Sequence, residues 1–112
     1  AHNKLGVTFI DLYKYEDAIE HLEWAVAYKY DFAEAYNNLG VANREFGQIN
    51  NAAKNFKKAI DINPGYTLAH LNLGDILADL GQKDEAVKCF EQVISIEPDN
   101  FLAHEKLIEL NS

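Results

Sequence analysis

Apolar residues in the middle of the chain recur every three or four positions, which is the spacing of one face of an α-helix. Between positions 33 and 46 this face consists of Ala35, Tyr36, Leu39, Ala42 and Phe46. A second run with helical spacing covers positions 52–62, and Pro64-Gly65 ends it. Gly47 lies between the two runs, at the position where a helix stop is expected. The pattern predicts two helices joined by a short turn.

This pair of helices repeats with a period of 34 residues. Aligned without gaps, positions 33–66 and 67–100 are identical at 12 of 34 places, where ordinary composition gives about two by chance. The same period relates three sets of columns that extend into the first part of the chain: Gly6, Gly40 and Gly74; Ala18, Ala52 and Ala86; Leu22, Phe56 and Phe90. A repeat of this strength indicates an architecture of stacked units.

Small residues mark the places where the two helices of a pair are expected to cross. Gly40 and Gly74 lack a side chain at the crossing point of the first helix, and Ala52 and Ala86 allow the same close approach from the second helix. We therefore expect these four positions to be buried between paired helices.

The polar residues after each turn predict how the second helices begin. Asn50 or Asn51 is expected to cap one of them, and Asp84 the next. Acid pairs at 16–17 and 84–85 fall in the first turn, where carboxylates interact favourably with the helix dipole.

A 34-residue helix pair with Leu-Gly early, Ala in the middle, an aromatic residue four positions later and Pro near the end resembles the tetratricopeptide repeat family. The resemblance implies an all-α fold, a right-handed superhelical solenoid of antiparallel helix pairs in one array. Its expected parts are repeat 1 (1–32), repeat 2 (33–66), repeat 3 (67–100) and a C-terminal capping helix (101–112). The first repeat departs from the pattern, with Tyr13 in place of the turn glycine and Tyr30 in place of the proline. Because its first helix begins without a cap residue, we expect the chain to be part of a longer protein.

Composition narrows the classes of function. The longest apolar stretch, positions 24–28, is far shorter than the roughly 20 residues that cross a bilayer, so we expect no membrane insertion. The net charge is −8, and the only lysine cluster is a small one at 54–58, which argues against a nucleic-acid partner. The resemblance implies that this cluster lies on the convex face, where it is expected to be solvated or, as the alternative, to contact an anion. The single cysteine, Cys89, cannot form an internal disulfide and favours a reducing, cytoplasmic location.

The histidines and the cysteine do not form a pattern typical of catalysis or metal binding. His2, His70 and His104 share one column of the repeat. Packed helices lie roughly 8–10 Å apart, and zinc binds nitrogen at about 2.0–2.1 Å, so histidines one repeat apart are expected to pack rather than to share an ion. His21 is predicted to be solvated and Cys89 to be a half-buried packing residue. We predict no catalytic residue, no metal and no cofactor, and therefore no enzyme within these residues.

Aromatic residues are concentrated near the first repeat, since eight of 13 fall within positions 9–36. Most are expected in the core. Trp24, however, shares a column with Lys58 and Gln92, which is typical of a surface position. It could be exposed by chance, buried by a missing upstream segment, or in contact with a partner protein.

The resemblance implies that first helices line a concave groove in which partner peptides bind. One column of that groove reads Lys4, Asn38, Asn72, Lys106, and an asparagine amide can both donate to and accept from a peptide main chain. The column resembles the asparagine ladder of arrays attached to O-GlcNAc transferases, although a family-typical polar residue without a ligand is the alternative. The predicted peptide-binding residues are Lys4, Val7, Asn37, Asn38, Val41, Arg44, Leu68, Leu71, Asn72, Asp75 and Lys106.

The chemistry of the groove columns predicts the kind of peptide. An apolar strip formed by Val41, Leu68, Leu71 and Leu102 is flanked by acids at Glu34, Glu45, Asp75, Asp79 and Glu105. We expect a peptide with apolar anchors and basic flanks. Related arrays that clamp the C-terminal carboxylate of chaperones use Lys, Asn, Asn, Lys and Arg, whereas those columns here hold Asn3, Val7, Asn38, Leu68 and Asn72. Because charge-assisted pairing needs those cations, we predict that chaperone carboxylates are not the ligand.

Three functions remain open on the sequence. The leading hypothesis is a non-catalytic protein-interaction scaffold. The second is self-assembly into a homo-oligomer by stacking of repeats, with Ile108 and Leu110 as candidate contacts. The third is the substrate-recognition arm of an enzyme encoded elsewhere, such as an O-GlcNAc transferase-like glycosyltransferase.

Overall fold

A computed structural model describes residues 2–28 and 32–111 and folds them into seven helices without a strand. The helices are α1 (His2–Asp11), α2 (Tyr15–Tyr28), α3 (Ala33–Glu45), α4 (Ile49–Ile62), α5 (Thr67–Asp79), α6 (Lys83–Ile96) and α7 (Phe101–Leu110). They fall into two compact units, one of residues 1–64 with α1 to α4 and one of residues 65–112 with α5 to α7. The predicted all-α class is confirmed, and α3 to α6 keep the 34-residue register of the sequence.

The unit of residues 1–64 consists of two helix pairs laid side by side. Helix α1 packs against α2 and α3 against α4, while α2 and α1 both contact α3. Ala18 and Leu22 of α2 meet Leu39 and Ala42 of α3 in a core cluster. The apolar face read from the sequence is therefore the face that joins one pair to the next.

The unit of residues 65–112 contains one helix pair and a further helix. Helix α6 lies between α5 and α7 and contacts both. Its Ala86, Phe90 and Val93 are buried, as is Ala103 of α7. Helix α7 thus packs where the first helix of a following pair would lie.

The glycines in the first helix of each pair provide space for a large side chain from the second helix. A Cβ atom added at Gly74 would lie 2.7 Å from the Phe90 ring, and one added at Gly40 would lie 2.5 Å from the Phe56 ring. Gly6 faces Leu22 in the same way. Ala52 and Ala86 are completely buried. The prediction of close helix crossing at these positions is confirmed.

The turn inside each pair has the same hydrogen bonds, even where glycine is replaced. After α3, the Gln48 amide donates to the Asn43 carbonyl at 2.7 Å and the Gly47 amide to the Arg44 carbonyl at 3.0 Å, as in a Schellman helix end. The matching pairs are Gln82 to Leu77 and Gly81 to Ala78 after α5, and Lys14 to Phe9 and Tyr13 to Ile10 after α1. Tyr13 therefore adopts the geometry of the turn glycine. Tyr30, the other departure in the first repeat, lies outside the described residues.

The predicted caps of the second helices are wrong. Gln48 occupies the N-cap position of α4 and Gln82 that of α6, and neither side chain bonds the helix end. Asn50, Asn51 and Asp84 lie inside the first turn, because each helix starts directly after its turn glutamine.

The helix starts also include one confirmed prediction and one cap that was not predicted from the sequence. The first turns of α2 and α6 carry the acid pairs Glu16-Asp17 and Asp84-Glu85, which confirms their placement at the positive end of the helix dipole. A side-chain cap occurs at α7, where the Asn100 oxygen accepts from the Ala103 amide at 2.9 Å.

None of the helices described is both long and apolar enough to span a membrane.

Candidate functional site

The candidate peptide-binding residues of residues 1–64 lie on α1 and α3, which are neighbours in space. Lys4 and Val7 are exposed on α1, and Asn38, Val41 and Arg44 are half-buried on α3. The structure therefore brings these five side chains to adjacent helices and leaves part of each accessible to a partner.

A row of amide and carboxylate groups crosses from α3 to α1. The Asn38 Nδ2 group donates to Asn3 Oδ1 at 3.0 Å, and Asn3 Nδ2 donates to Glu34 Oε1 at 3.3 Å. The ladder residue Asn38 is thus held by a polar neighbour from the adjacent first helix. A peptide that uses this row has to pair with groups that already bond one another.

Asn37 is the exception among the candidate residues of α3. It is 1 % exposed, whereas its neighbour Asn38 is half-buried. A partner cannot reach a side chain that the protein's own packing covers. Asn37 is therefore a buried polar residue of the fold and, unlike Asn38, offers no accessible side chain in this structure.

The one arginine of the chain is already paired. The Arg44 guanidinium lies 3.6 Å from a Glu45 carboxylate oxygen and 5.9 Å from the centre of the Phe56 ring. An acid and an aromatic face therefore both stabilise its charge in place. This leaves Lys4 as the exposed cation of the candidate surface on α1 and α3.

In residues 65–112 the candidate residues lie on α5 and α7. Leu68 is 51 % exposed and Leu102 is also exposed, whereas Leu71 is buried. Lys106 Nζ lies 3.3 Å from Asp75 Oδ1, so an ion pair joins α7 to α5. Asn72 is half-buried on α5 and has a polar or ring contact of its own. The structure thus pairs Asp75 with Lys106, while the side chains of Leu68 and Leu102 stay exposed.

The three histidines that share one column of the repeat lie in three different environments. His70 is buried in the fold, as predicted. His104 is exposed, and its Nε2 lies 2.8 Å from the Pro98 carbonyl oxygen. His2 is exposed, and its Nδ1 lies 3.1 Å from Nδ1 of His21. The packing prediction therefore holds for His70, whereas His2 and His104 make polar contacts at the surface.

His21 is half-buried rather than solvated, which corrects the sequence prediction. Its ring stacks on Phe9 of α1 with centroids 5.2 Å apart. The contact joins two helices, so the polar neighbours of His21 in sequence do not reveal it. Among the residues that the structure describes, no group of three or more His, Cys, Asp or Glu side chains could hold a metal ion.

The exposed aromatic residues of α2 form a surface that sequence reasoning identified only in part. Trp24 is 60 % exposed, which confirms the surface position that its column indicates. Tyr28, one turn later, is also exposed. Comparing repeat columns identified Trp24 as a surface residue. The same comparison would have indicated an apolar position for Tyr28, because Tyr28 aligns with Ile62 and Ile96.

Cys89 is half-buried on α6, as expected.

Comparison with known families identifies one repeat type along nearly the whole chain. Two family models described as tetratricopeptide repeat match, one over residues 3–67 and one over residues 43–108. Curated protein sequences give no significant match.

Solved structures give the same fold. The second TPR domain of human RPAP3, solved with the HSP70 peptide SGPTIEEVD, is 28 % identical, with a TM-score of 0.93 over 100 % of this chain and 93 % of that one. A crystal structure of MamA is 33 % identical, with a TM-score of 0.93 over 97 % of this chain and 64 % of that one. The first TPR of Spaghetti (RPAP3), bound to the HSP90 peptide SRMEEVD, is 24 % identical with a TM-score of 0.94 over 98 % of this chain and 87 % of that one, and shows the fold alone.

Proposed function

Because this chain belongs to the tetratricopeptide repeat family, we propose that it is a non-catalytic scaffold that binds a peptide or partner segment on its first helices, α1, α3, α5 and α7. The observation that carries the proposal is a set of apolar side chains left open beside polar groups on these helices. Val7, Leu68 and Leu102 are all exposed. A contiguous exposed apolar patch is typical of a partner contact, and these three side chains are the candidates for its anchors.

Each compact unit offers its own chemistry to a partner. In residues 1–64, Val7 and Val41 supply apolar contacts beside the amides of Asn3 and Asn38. Amides that donate and accept suit the main chain of an extended peptide. In residues 65–112, Leu68 and Leu102 supply the anchors.

The charge of the chain supports a basic partner. Repeat 3, residues 67–100, carries a net charge of −5, while residues 33–66 carry +1. Asp75 is neutralised by Lys106, but Asp79 and Glu105 are exposed. Opposite charges at the rim of a contact raise association rates and discriminate between partners. We therefore propose a peptide with apolar anchors and Lys or Arg flanks.

A chaperone C-terminal carboxylate is a less suitable ligand for these residues than a peptide with Lys or Arg flanks. The RPAP3 domain that is 28 % identical is in complex with a peptide ending in EEVD, which supports a peptide partner and makes this acidic ligand the natural competitor. However, the columns that would clamp a carboxylate hold Asn3, Val7, Asn38, Leu68 and Asn72. One repeat later they hold Asn37, Val41, Asn72, Leu102 and Lys106, so the two registers together offer a single cation. Carboxylates bind most strongly to charged donors.

The test compares two fluorescent peptides by anisotropy. One has three leucines flanked by lysines and arginines, and the other is SGPTIEEVD. We expect the basic peptide to bind more tightly. Leu68→Ala should weaken it roughly tenfold, since loss of a buried leucine contact is worth about 1–2 kcal/mol. Leu80→Ala, which shortens another half-exposed leucine at the end of α5, is the matched control and should have no effect.

The outcomes of this titration are distinct. Tighter binding of SGPTIEEVD contradicts the proposed charge preference. Equal affinity of wild type, Leu68→Ala and Asn72→Ala for the basic peptide removes the first-helix surface from the function. Leu71→Ala would test stability rather than binding, because Leu71 is buried.

Self-assembly is a second candidate, which the surface of α7 favours. Ile108 is 70 % exposed and Phe101 is exposed on the same helix, whereas Leu110 is half-buried. Light scattering between micromolar and millimolar chain concentrations tests it. A mass that rises with concentration and falls back in Ile108→Glu supports assembly through α7, and a constant monomer mass excludes it.

The proposal includes a cytoplasmic location. It rests on the chain's single cysteine, Cys89, a half-buried thiol that a reducing compartment would leave unmodified. Imaging of the tagged full-length protein in its own cells is the direct measurement.

A further inference from the structure

Two histidines join the first two helices edge to edge. Nδ1 of His2 on α1 lies 3.1 Å from Nδ1 of His21 on α2. The ring centroids are 5.4 Å apart and the planes differ by 27°. A neutral imidazole has one N–H and one bare nitrogen, so one ring donates to the other in this contact. Two imidazole nitrogens therefore face each other across a gap of hydrogen-bond length.

Aromatic rings on either side hold the two imidazoles in this arrangement. Phe9 stacks on His21 with centroids 5.2 Å apart and planes 21° apart. Trp24 stacks on His2 at 6.1 Å and 22°. These contacts place an aromatic ring beside each imidazole. His2 is exposed and His21 half-buried, so part of each residue is open to solvent.

We propose that His2 and His21 form a binding site for a divalent transition-metal ion, for which copper(II) serves as the probe. Metal–nitrogen bonds of 2.0–2.1 Å place two ligand atoms about 2.9 Å apart at a right angle and about 3.4 Å apart at a tetrahedral angle. The observed 3.1 Å lies between these values. Imidazole suits copper, nickel and zinc, and copper(II) binds most strongly in the divalent series. Water completes the coordination, as expected for a site with two protein ligands.

Binding requires a change of tautomer in one ring and a tilt of both rings. The proton that the two Nδ1 atoms share moves to Nε2 of its own ring, so both Nδ1 lone pairs become available while each imidazole stays neutral. The rings then tilt so that both lone pairs point at the ion. Because the ligands are 19 residues apart on two helices, the ion cross-links the first helix pair. Such a cross-link would stabilise this pair of helices. It is the pair whose turn has Tyr13 in place of glycine.

The test uses the 112-residue chain with an acetylated N-terminus, because a free amine one residue before His2 would itself bind copper. Trp24 is the only tryptophan, and its ring lies 6.1 Å from that of His2, so bound copper should quench its fluorescence. We expect saturable quenching by copper(II) chloride with a stoichiometry of one. His2→Ala and His21→Phe should each weaken it at least tenfold. His21→Phe retains a ring to stack on Phe9, and His104→Ala, which removes another exposed histidine, should match wild type.

Two further readouts do not depend on tryptophan. Copper should raise the unfolding midpoint of wild type and of His104→Ala but not of His21→Phe, since an ion that binds only the folded chain stabilises it. The electron paramagnetic resonance of bound copper should show two imidazole nitrogens. Quenching that survives in His21→Phe, that is lost in His104→Ala, or that accompanies a spectrum without two imidazole nitrogens would overturn the proposal.

Discussion

At the scale of single residues, Tyr13 shows how packing overrides local preference. Its φ is +60°, and the glycines in the same turn position, Gly47 and Gly81, have φ of +87° and +80°. The left-handed region is unfavourable for a residue with a Cβ atom by roughly 1–2 kcal/mol. The helix-end hydrogen bonds are nevertheless the same in all three turns. The packing of α1 against α2 therefore fixes the turn, and the tyrosine adopts it.

Replacing Tyr13 tests this strain directly. We expect Tyr13→Gly to be more stable than Tyr13→Ala by about 0.5–1 kcal/mol, because both lose the ring and only alanine keeps the strained backbone. Chemical denaturation of the two variants measures the difference. If the alanine variant is equally stable, the left-handed conformation is not a source of strain in this turn.

Glu97 links the ends of three helices in residues 65–112. It is the C-cap residue of α6, and its Oε1 accepts from Nδ2 of Asn100, the N-cap residue of α7, at 3.2 Å. A hydrogen bond from the Thr67 side chain at the start of α5 lowers the pKa of Glu97 most, and the bond from Asn100 adds to it. The folded chain therefore favours the ionised carboxylate.

This direction of shift predicts a pH dependence. Because folding lowers the pKa of Glu97 below its ordinary value of 4.5, its ionised form stabilises the fold above that pH, and the stabilisation is lost as the pH falls through the folded value. The difference in melting temperature between wild type and Glu97→Gln should thus be largest at pH 7 and should shrink toward pH 3. Glu91→Gln, which alters another exposed glutamate of α6, is the control. A difference that does not change between pH 7 and pH 3 contradicts this role of Glu97.

At the scale of helices, each pair is specified by one glycine and one large side chain. Gly40 faces Phe56 and Gly74 faces Phe90, and a Cβ atom on either glycine would overlap the ring. The interaction is between two particular positions 16 residues apart, which recur with the period of the repeat. A change at one position should therefore be compensated by a change at the other.

A double-mutant cycle in the second unit tests this pairing. Gly74→Ala should destabilise by about 1–3 kcal/mol through overpacking. Combined with Phe90→Leu, which makes room, the loss should be smaller than the sum of the two by about 1 kcal/mol. Gly81→Ala with Phe90→Leu is the matched cycle and should be additive, since nothing lies within 4 Å of a Cβ at Gly81. Additivity in the Gly74 cycle would show that the ring does not determine the need for glycine.

The sequence predicts the helices better than it predicts the candidate peptide-binding site. Helices, buried alanines and crossing glycines follow from the period, because they depend on positions that every repeat shares. The site depends on differences between neighbours, so Asn37 and Asn38 look equivalent in sequence while only Asn37 is covered by packing. His21 is misjudged because its partners, His2 and Phe9, belong to another helix. Contacts between helices that do not recur with the period cannot be read from it.

At the scale of the whole chain, the uneven charge bears on the proposed partner. The net charge of −8 divides into −3 for residues 1–32, +1 for 33–66, −5 for 67–100 and −1 for 101–112. The apolar anchors lie in both compact units, but the strongest negative charge belongs to one segment. Apolar contact and charge should thus contribute separably to binding, since salt screens the second and leaves the first.

Salt dependence separates the two contributions. Raising the salt from 0.1 M to 1 M shortens the screening length from about 10 Å to about 3 Å. If a few rim pairs each contribute 0.2–1 kcal/mol, the basic peptide should bind about tenfold more weakly at high salt. A peptide with the same leucines and glutamine in place of each Lys and Arg should bind more weakly at low salt and change little. Isothermal titration at both salt concentrations measures this, and an equal response of the two peptides would mean that the acids of residues 67–100 do not select the partner.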